Sequence, residues 1–582
     1  MTRVFAVVIV VGNYSRIQIS CFSQFGRKKM FLVDIVKRYP RVCSSMICLP
    51  LLYPPFLHIS VPLCILCLLS VWVWHRWMRK HRRAVAFFHP QCSGMGGGER
   101  VLWCAVIQIL KWSDVVIYTT SDNCKRKAEI LAKVEKGFGL ALKKPEQEYG
   151  NEKASSHRAR TLDFVAVHSF WITEDPNIFP VFTLLLQNLV SIVVAIEACL
   201  RCPCDVFVES CGLSFSLPVA RLFSGANFVT AYVHYPTMSY DMISRVSNNV
   251  QMYNNQRWIA KSRILTQVKL FYYHTFLYIY GLCGMCSHHV WCNSSWTRER
   301  IRRIFWGLRT EEVELLAPPT DLQSLVGPED KYLLQGAAKA KGSSLYGLER
   351  SPFSVGSATE SLAKRKNRVI SLAQFRVEKD HALQVDAFAE ALRQGLLPAD
   401  SELEMLGSTR GPADEALVKR LEEQILRIDA EVQADNRGGG QATTNIKLSS
   451  RIRICRNLPF DEVVARLRTS KVALHTMRDE HFGITLVEFV AARLLCVCHN
   501  SGGPKSDILC TTDLQKGLLA VSVQEFASAM GRAFELYDKP ETQKDIDAAI
   551  ASLCRFPDNE KFGTQISDLL RKHEKTKLIS QS

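Results

Sequence analysis

The sequence predicts an α/β protein of two doubly wound, Rossmann-like parallel-sheet domains facing a cleft, with an N-terminal transmembrane helix ahead of them. Three observations predict it. One long uncharged apolar run is followed by a basic block. Short apolar strands then alternate with helical stretches in two separate series. A low-complexity segment divides the two series.

The apolar run is Phe56–Trp74, FLHISVPLCILCLLSVWVW, with no charge apart from one that His58 could carry. Roughly nineteen residues at about 1.5 Å each match the ~30 Å hydrocarbon core of a bilayer. Trp72, Trp74 and Trp77 gather at the downstream end, where an aromatic belt would lie, and HRWMRKHRR (His75 to Arg83) follows. Residues 1–55 are therefore read as an extension and 56–77 as the anchor. Charge density at this boundary and a thiol-rich composition predict that the C-terminal body lies in the cytosol. The short run Val4 to Val11 has signal-peptide length but no clear cleavage site. Phe179 to Leu200 and Leu270 to Met285 read first as amphipathic or buried helices, with membrane-surface contact as the alternative.

The first α/β series opens with the strand Ala84 to Phe88, a glycine turn Gly94-Met95-Gly96-Gly97-Gly98, and a helix through VLWCAVIQIL. Strands at Asp114 to Thr120, Leu162 to Val167, Val206 to Val208, Asn227 to Tyr232 and His289 to Cys292 continue it. The second series has strands at Asn367 to Leu372, Glu402 to Leu406, Arg453 to Cys455, Val472 to His475 and Leu494 to Val497. Helices are expected at His381 to Arg393, Asp414 to Ile428 and Thr485 to Ala492. The boundaries follow: 84–317 for the first domain, 318–520 for the second, a hinge near Pro318-Pro319, and a helical tail over 521–582. Segments 327–366 and 435–444 read as flexible insertions.

Lys plus Arg number 73 against 56 Asp plus Glu, a net charge of +17. Such a surplus calls for an anionic partner: nucleic acid, a lipid headgroup surface or phosphorylated substrates. The chain has 20 cysteines, but the C-x-x-C pairs Cys64/Cys67 and Cys283/Cys286, among others, do not combine into a zinc pattern, so reduced thiols are expected. The one Asp-x-Asp, Asp545 to Asp547, falls in the helical tail rather than at a strand end, so no metal is expected.

Leu474 to Glu488, LHTMRDEHFGITLVE, runs from a strand through a tight loop into a helix. Backbone N–H groups at a helix start, with Gly483 allowing close approach, suit an anionic or hydroxyl-rich ligand. Glu480 and Glu488 are placed to accept hydrogen bonds from two separate diols. Thr485-x-x-Glu488 is equally a capping box, in which Glu488 serves only the helix start. Ser371 to His381 sets Arg376 and Lys379 just after a strand, where cations would neutralise a leaving diphosphate. His234 follows a strand of the first domain and is expected to face the cleft. Asn293-Ser294-Ser295-Trp296-Thr297 and Asn500-Ser501-Gly502-Gly503-Pro504 read alone as ordinary turns.

GGGERVLW, YVHYP, NSSWT, the QFRVEKDH block, LHTMRDEHFGI with its following VE, and HNSGGPK occur in this order. Together, over roughly 84–320 and 366–515, they resemble the α-1,2-mannosyltransferases of the asparagine-linked glycosylation pathway, in glycosyltransferase family 4. The resemblance implies a GT-B fold and a retaining, metal-independent transfer from GDP-mannose without a cofactor. It implies as acceptor a dolichol diphosphate carrying chitobiose and three mannoses, extended by the fourth and fifth mannose on the cytosolic face of the endoplasmic reticulum. Membrane lipids and other mannosyltransferases of the pathway are the implied partners, and nucleic acid is not. Carried over by position, Glu480 and the Phe482-Gly483-Ile484 backbone would meet the donor mannose and Glu488 the ribose. Lys379 with Arg376 would meet the diphosphate, Gly96 and Gly97 would let the first domain approach, and His234 would touch the sugar near the reaction centre. Two departures stand out. Arg493 occupies a place where such enzymes have Gly, and Arg376 sits two residues later than the Arg of many members.

Overall fold

The structure is a computed structural model. It describes residues 84–140, 160–334, 365–437 and 447–581, apart from 95, 175–177, 180–181, 225, 249–261 and 410, together with 66, 69, 70 and 73. The expected extension lies outside the described residues, as do 335–364 and 438–444 of the two expected insertions. Of the expected anchor only Leu66, Leu69, Ser70 and Val73 are described; they are helical and exposed.

Seven strands form the first sheet: β1 Ala84–Phe88, β2 Asp114–Thr119, β3 Leu162–Ala166, β4 Val206–Glu209, β5 Phe228–Val233, β6 His289–Cys292 and β7 Val313–Leu315. Their spatial order is β3-β2-β1-β4-β5-β6-β7. The second sheet has six: β8 Arg368–Leu372, β9 Glu402–Gly407, β10 Ile452–Arg456, β11 Val472–His475, β12 Leu495–His499 and β13 Leu519–Ala520, ordered β10-β9-β8-β11-β12-β13. The ladders are parallel. Parallel strands are covered on both faces, which is why β1 (AVAFF), β5 and β12 are buried along their whole length and read as unbroken apolar runs. In both sheets the strand order reverses once, between β1 and β4 and between β8 and β11. Two doubly wound sheets of this kind are what the alternation of strands and helices predicts.

The helices used below are α1 Gly97–Ile109, α2 Thr183–Arg201, α3 Tyr240–Ser247, α4 Arg263–Gly284, α5 Ser295–Ile304, α6 His381–Arg393, α7 Pro412–Arg437, α8 Ile484–Ala491, α9 Val523–Tyr537, α10 Pro540–Ser552 and α11 Asn559–Gln581. Three helices thus make up the expected tail. The chain divides into two compact units, one of Met1–Gly94, Ile109–Ala231 and Leu282–His288, the other of Met95–Gln108, Tyr232–Gly281 and His289–Ser582. Within the second unit, the core gathers Ile370, Met405, Leu474 and Val497 of the sheet with Phe388 of α6, Phe489 of α8 and Phe526 and Met530 of α9.

Three boundaries differ from expectation. Helix α7 continues through Arg437, so the first residues of the presumed insertion at 435–444 are helical. Pro328–Asp330 forms a 3-10 turn and Asp330 is buried, so the segment from Gly327 begins as structure. Helix α8 starts at Ile484 with Gly483 as its N-cap.

Helix α2 has the length and composition to cross a membrane, a test that a core helix also passes. Here it buries Ser191, Val194, Ala195, Ala198 and Cys199 and leaves Leu189 and Val193 exposed. Its fully buried Glu197 accepts the backbone N–H groups of His168 and Ser169 and the Arg201 Nε, which accounts for a carboxylate in an apolar stretch. Helix α4 buries Tyr273, Phe276, Leu277 and Tyr280 on one side and exposes Ile264, Val268, Phe271 and Tyr278 on another.

Candidate active site

Ligands of open parallel sheets bind beyond the carboxyl ends of the strands, where the strand order reverses. In the second sheet that point lies between β8 and β11. The chain leaving β8 reaches Lys379 at the end of a 3-10 turn, Val377–Lys379, closed by Asp380 in the left-handed region at φ 51°. The chain leaving β11 carries Glu480. The two groups meet: Lys379 Nζ is 2.5 Å from Glu480 Oε2. His475 Nε2 lies 3.1 Å from the same oxygen, and the His481 backbone N–H donates to Glu480 Oε1 at 3.1 Å.

Glu480 is only 9% exposed. Burial works to raise its carboxyl, but Lys379, His475 and His481 together hold it well below the usual carboxylate range, so it is ionised at neutral pH. Burial pushes His475 and His481 down, His481 to about 4, leaving both neutral at pH 7. The Thr476 hydroxyl ties the other side of the site. It accepts from Gln384 Nε2 at 3.0 Å and lies 2.9 Å from the carbonyl oxygens of Lys379 and Asp380, to which it donates.

The loop bearing Glu480 is clamped from below by the turn after β12. Gly503 N–H donates to the Glu480 carbonyl at 2.8 Å, and Ser501 Oγ accepts the Asp479 N–H at 2.7 Å. A Cβ on Gly502, itself at φ 72°, would lie 2.9 Å from the Glu480 nitrogen; one on Gly503 would lie 2.8 Å from Phe482 Cα. Only glycine allows that approach. Asn500 to Pro504 reads as an ordinary turn in the sequence, and the paired glycines were the available signal that a second backbone passes close by.

The helix that follows begins at Gly483, φ 92°, with no side-chain cap. This overturns the capping-box reading of Thr485 and Glu488: Thr485 lies inside the helix, so its hydroxyl is not at the N-cap. Burial raises the Glu488 carboxyl to about 7, against the opposing pull of Arg100. Phe482 is buried edge-on to Phe556 at 5.2 Å.

The glycine turn before α1 belongs to the same compact unit. Gly96 N–H donates to Glu99 Oε2 at 3.0 Å, fixing the helix start. A Cβ on Gly97 would sit 2.9 Å from Ile484 Cδ1, and one on Gly98 would sit 3.6 Å from His234 Nε2. Gly98 therefore lies beside His234 at an ordinary contact distance. Next to His234, Tyr235 stacks on His481 (3.9 Å between centroids, 18°). Trp296 of α5 lies near-parallel to Tyr235 at 6.1 Å and carries the Arg300 guanidinium 3.6 Å over its face. Asp507, from the turn after β12, accepts the Ser295 N–H at the start of α5.

Gly97, His234, Lys379, Glu480, Gly483 and Ile484 are thus linked through one set of contacts. Arg376 is not among them: it is half exposed and pairs with Glu378 on its own turn at 3.1 Å. Arg493 adopts φ 65°, the left-handed backbone that glycine favours, which explains why Gly suits that place. Its buried guanidinium pairs with Asp330 and Asp547, each at 2.7 Å, and Tyr537 donates to its carbonyl. That Asp547 is committed to Arg493 also accounts for half of the Asp-x-Asp pair.

Comparison with known proteins gives the family. A family model described as ALG11 mannosyltransferase N-terminus matches residues 82–305, and one described as glycosyl transferases group 1 matches 441–550. The chain is 32% identical to the GDP-Man:Man(3)GlcNAc(2)-PP-Dol alpha-1,2-mannosyltransferase of Xenopus laevis, over 89% of this chain and 96% of that protein. It is 33% identical to the protein of the same name from Homo sapiens, over 83% and 85%. Among solved structures, an α,α-trehalose 6-phosphate synthase from Burkholderia multivorans shares the fold at a TM-score of 0.50 and 12% identity, covering 86% of this chain and 100% of that one. The chain belongs to the family of the GDP-Man:Man(3)GlcNAc(2)-PP-Dol α-1,2-mannosyltransferases.

Proposed function

We propose that this chain is a retaining α-1,2-mannosyltransferase that adds the fourth and fifth mannose from GDP-mannose to dolichol-diphosphate-linked trimannosyl chitobiose. The observation that carries the reading is the pairing of Lys379 with Glu480 at the reversal point of the second sheet. A cation there meets the diphosphate that departs, and an ionised carboxylate beside it accepts hydrogen bonds from sugar hydroxyls. The Gly483–Ile484 helix start offers backbone N–H groups to the same ligand, and Glu488 would take the ribose hydroxyls.

Transfer is front-face. The bond from mannose C1 to the GDP oxygen breaks, and the acceptor 2-hydroxyl forms the new bond on the same face. Its proton passes to the departing phosphate, whose charge Lys379 stabilises. His234 contributes at the sugar from beside Gly98. Arg493 bears on stability rather than on transfer, because its guanidinium is committed to Asp330 and Asp547.

The protein works as a single-pass protein of the endoplasmic reticulum membrane with its catalytic body in the cytosol, alongside membrane lipids and other mannosyltransferases of the pathway. Incubating the purified full chain with GDP-mannose and a defined lipid-linked trimannosyl acceptor tests the activity. Mass analysis should show two added hexoses; one hexose, or none, would refute the assignment. Topology is tested by the two acceptor sequons, Asn13-Tyr14-Ser15 and Asn293-Ser294-Ser295. A cytosolic body leaves Asn293 unmodified, and a glycan on it would reverse the topology.

A further inference from the structure

We propose that His475 is a positioning residue for the transfer reaction, holding the Glu480 carboxylate on the donor sugar once Lys379 leaves it for the diphosphate. The inference rests on the donor reading above. In the structure the strongest partner of Glu480 is Lys379, at 2.5 Å from Oε2. That lysine is also the cation assigned above to the diphosphate. A diphosphate carries more charge than one carboxylate and draws the ammonium away, and Glu480 then stays buried with one fewer partner. A buried carboxylate left without donors is costly and free to turn.

The remaining donors are His475 Nε2, 3.1 Å from Oε2, and the His481 backbone N–H, 3.1 Å from Oε1. Each carboxylate oxygen therefore keeps one fixed donor. His475 is the last residue of β11, 3% exposed, and its ring sits on a rigid strand rather than on the loop it serves. Burial lowers its imidazole from the ordinary value against the pull of Glu480, and its Nε2–H donates to the carboxylate. The next residue, Thr476, holds the carbonyl oxygens of Lys379 and Asp380 at 2.9 Å. Two consecutive residues at one strand end thus fix the two halves of the site: Thr476 the backbone of the mobile cation, His475 the carboxylate it leaves behind.

The test is His475→Phe, which fills the space without a donor, against His475→Gln, whose amide N–H reaches toward the place of Nε2. Both are measured in the full chain with GDP-mannose and trimannosyl acceptor, with a Glu480→Gln background as a third arm. The expected result is a fall in kcat of roughly 10- to 100-fold for His475→Phe with KM for GDP-mannose changed less than about threefold. His475→Gln should recover most of it. In the Glu480→Gln background His475→Phe should add little further loss, because the partner it serves is gone. Equal impairment of Phe and Gln variants, full additivity with Glu480→Gln, or kcat unchanged in His475→Phe would each overturn the proposal. Failure of the unmodified chain to transfer from GDP-mannose would instead overturn the function on which it rests.

Discussion

Gly503 offers a measurement of how tightly the loop carrying Glu480 must be held. A Cβ added there would lie 2.8 Å from Phe482 Cα and 2.9 Å from the His481 carbonyl carbon. Carbon atoms in contact prefer about 3.5–4.0 Å, so Gly503→Ala forces the two backbones apart by about 1 Å. Both partners are backbone, so no side chain can swing aside. Overpacking of this kind costs about 1–3 kcal/mol. The larger effect falls on activity, because the displaced residues flank Glu480, and a 1 Å misplacement costs about 100-fold in rate. Gly395→Ala is the control for a destabilised fold: its φ is 65°, so alanine is strained there by backbone alone, and nothing lies within 4 Å of the new methyl group. It should lower stability by about 1–2 kcal/mol and leave turnover intact. Thermal melting and initial rates on both variants decide the matter. Turnover of Gly503→Ala within threefold of the parent, or an equal loss in Gly395→Ala, would refute the claim that this close approach positions the site.

Lys379→Met should lower kcat/KM for GDP-mannose by at least about 100-fold, whereas Arg376→Ala should stay within about fivefold, because only the lysine reaches Glu480; comparable losses would put Arg376 back beside the donor. Arg493→Ala should cost about 3–5 kcal/mol, since it takes the cation from the buried Asp330 and the half-buried Asp547. Arg493→Gly relieves the left-handed backbone but not the two acids, and adding Asp330→Asn and Asp547→Asn should restore melting toward the parent value; no restoration would show that the pairs are incidental. Glu488 supplies a pH test. Its folded-state carboxyl is raised to about 7, above the unfolded value near 4.5, so between these limits the folded chain binds more protons than the unfolded one. The donor-free protein should therefore lose stability as pH rises from about 5 to 7, and Glu488→Gln should flatten that slope; unchanged slopes in melting scans would count against the burial of this acid.

The parts of this molecule that the sequence made legible are those where one local pattern has one physical meaning. His381–Arg393 and Val472–His475 were read to the residue, because an amphipathic helix and a short apolar strand each declare their period locally. The start of α8 was misread for the opposite reason. Thr485-x-x-Glu488 satisfies a capping box, and the choice went to Gly483 because its left-handed backbone stops the helix one residue earlier. What stayed hidden were contacts made by backbone across long separations. Gly502 and Gly503 serve the Glu480 loop, and Asp330 answers Arg493 from 163 positions away. None of these leaves a periodic trace, since a glycine chosen for room looks like a glycine chosen for a turn.

The meeting of Lys379 and Glu480 follows from topology more than from either motif. They lie 101 positions apart, and no spacing rule joins an R-x-x-K to an E-x-F-G. The strand order β9-β8-β11-β12 joins them, because reversal at β8 and β11 sends the two following loops out side by side. That argument also says which neighbours matter. Residues at the ends of these two strands, His475 and Thr476 on one and the Lys379 turn on the other, lie in contact with Glu480 or with each other. Arg376, three residues before Lys379 on the same loop, points instead at Glu378. Charge near a motif is therefore a weaker guide than position at the reversal of the sheet, and the contrast between Lys379 and Arg376 measures the difference.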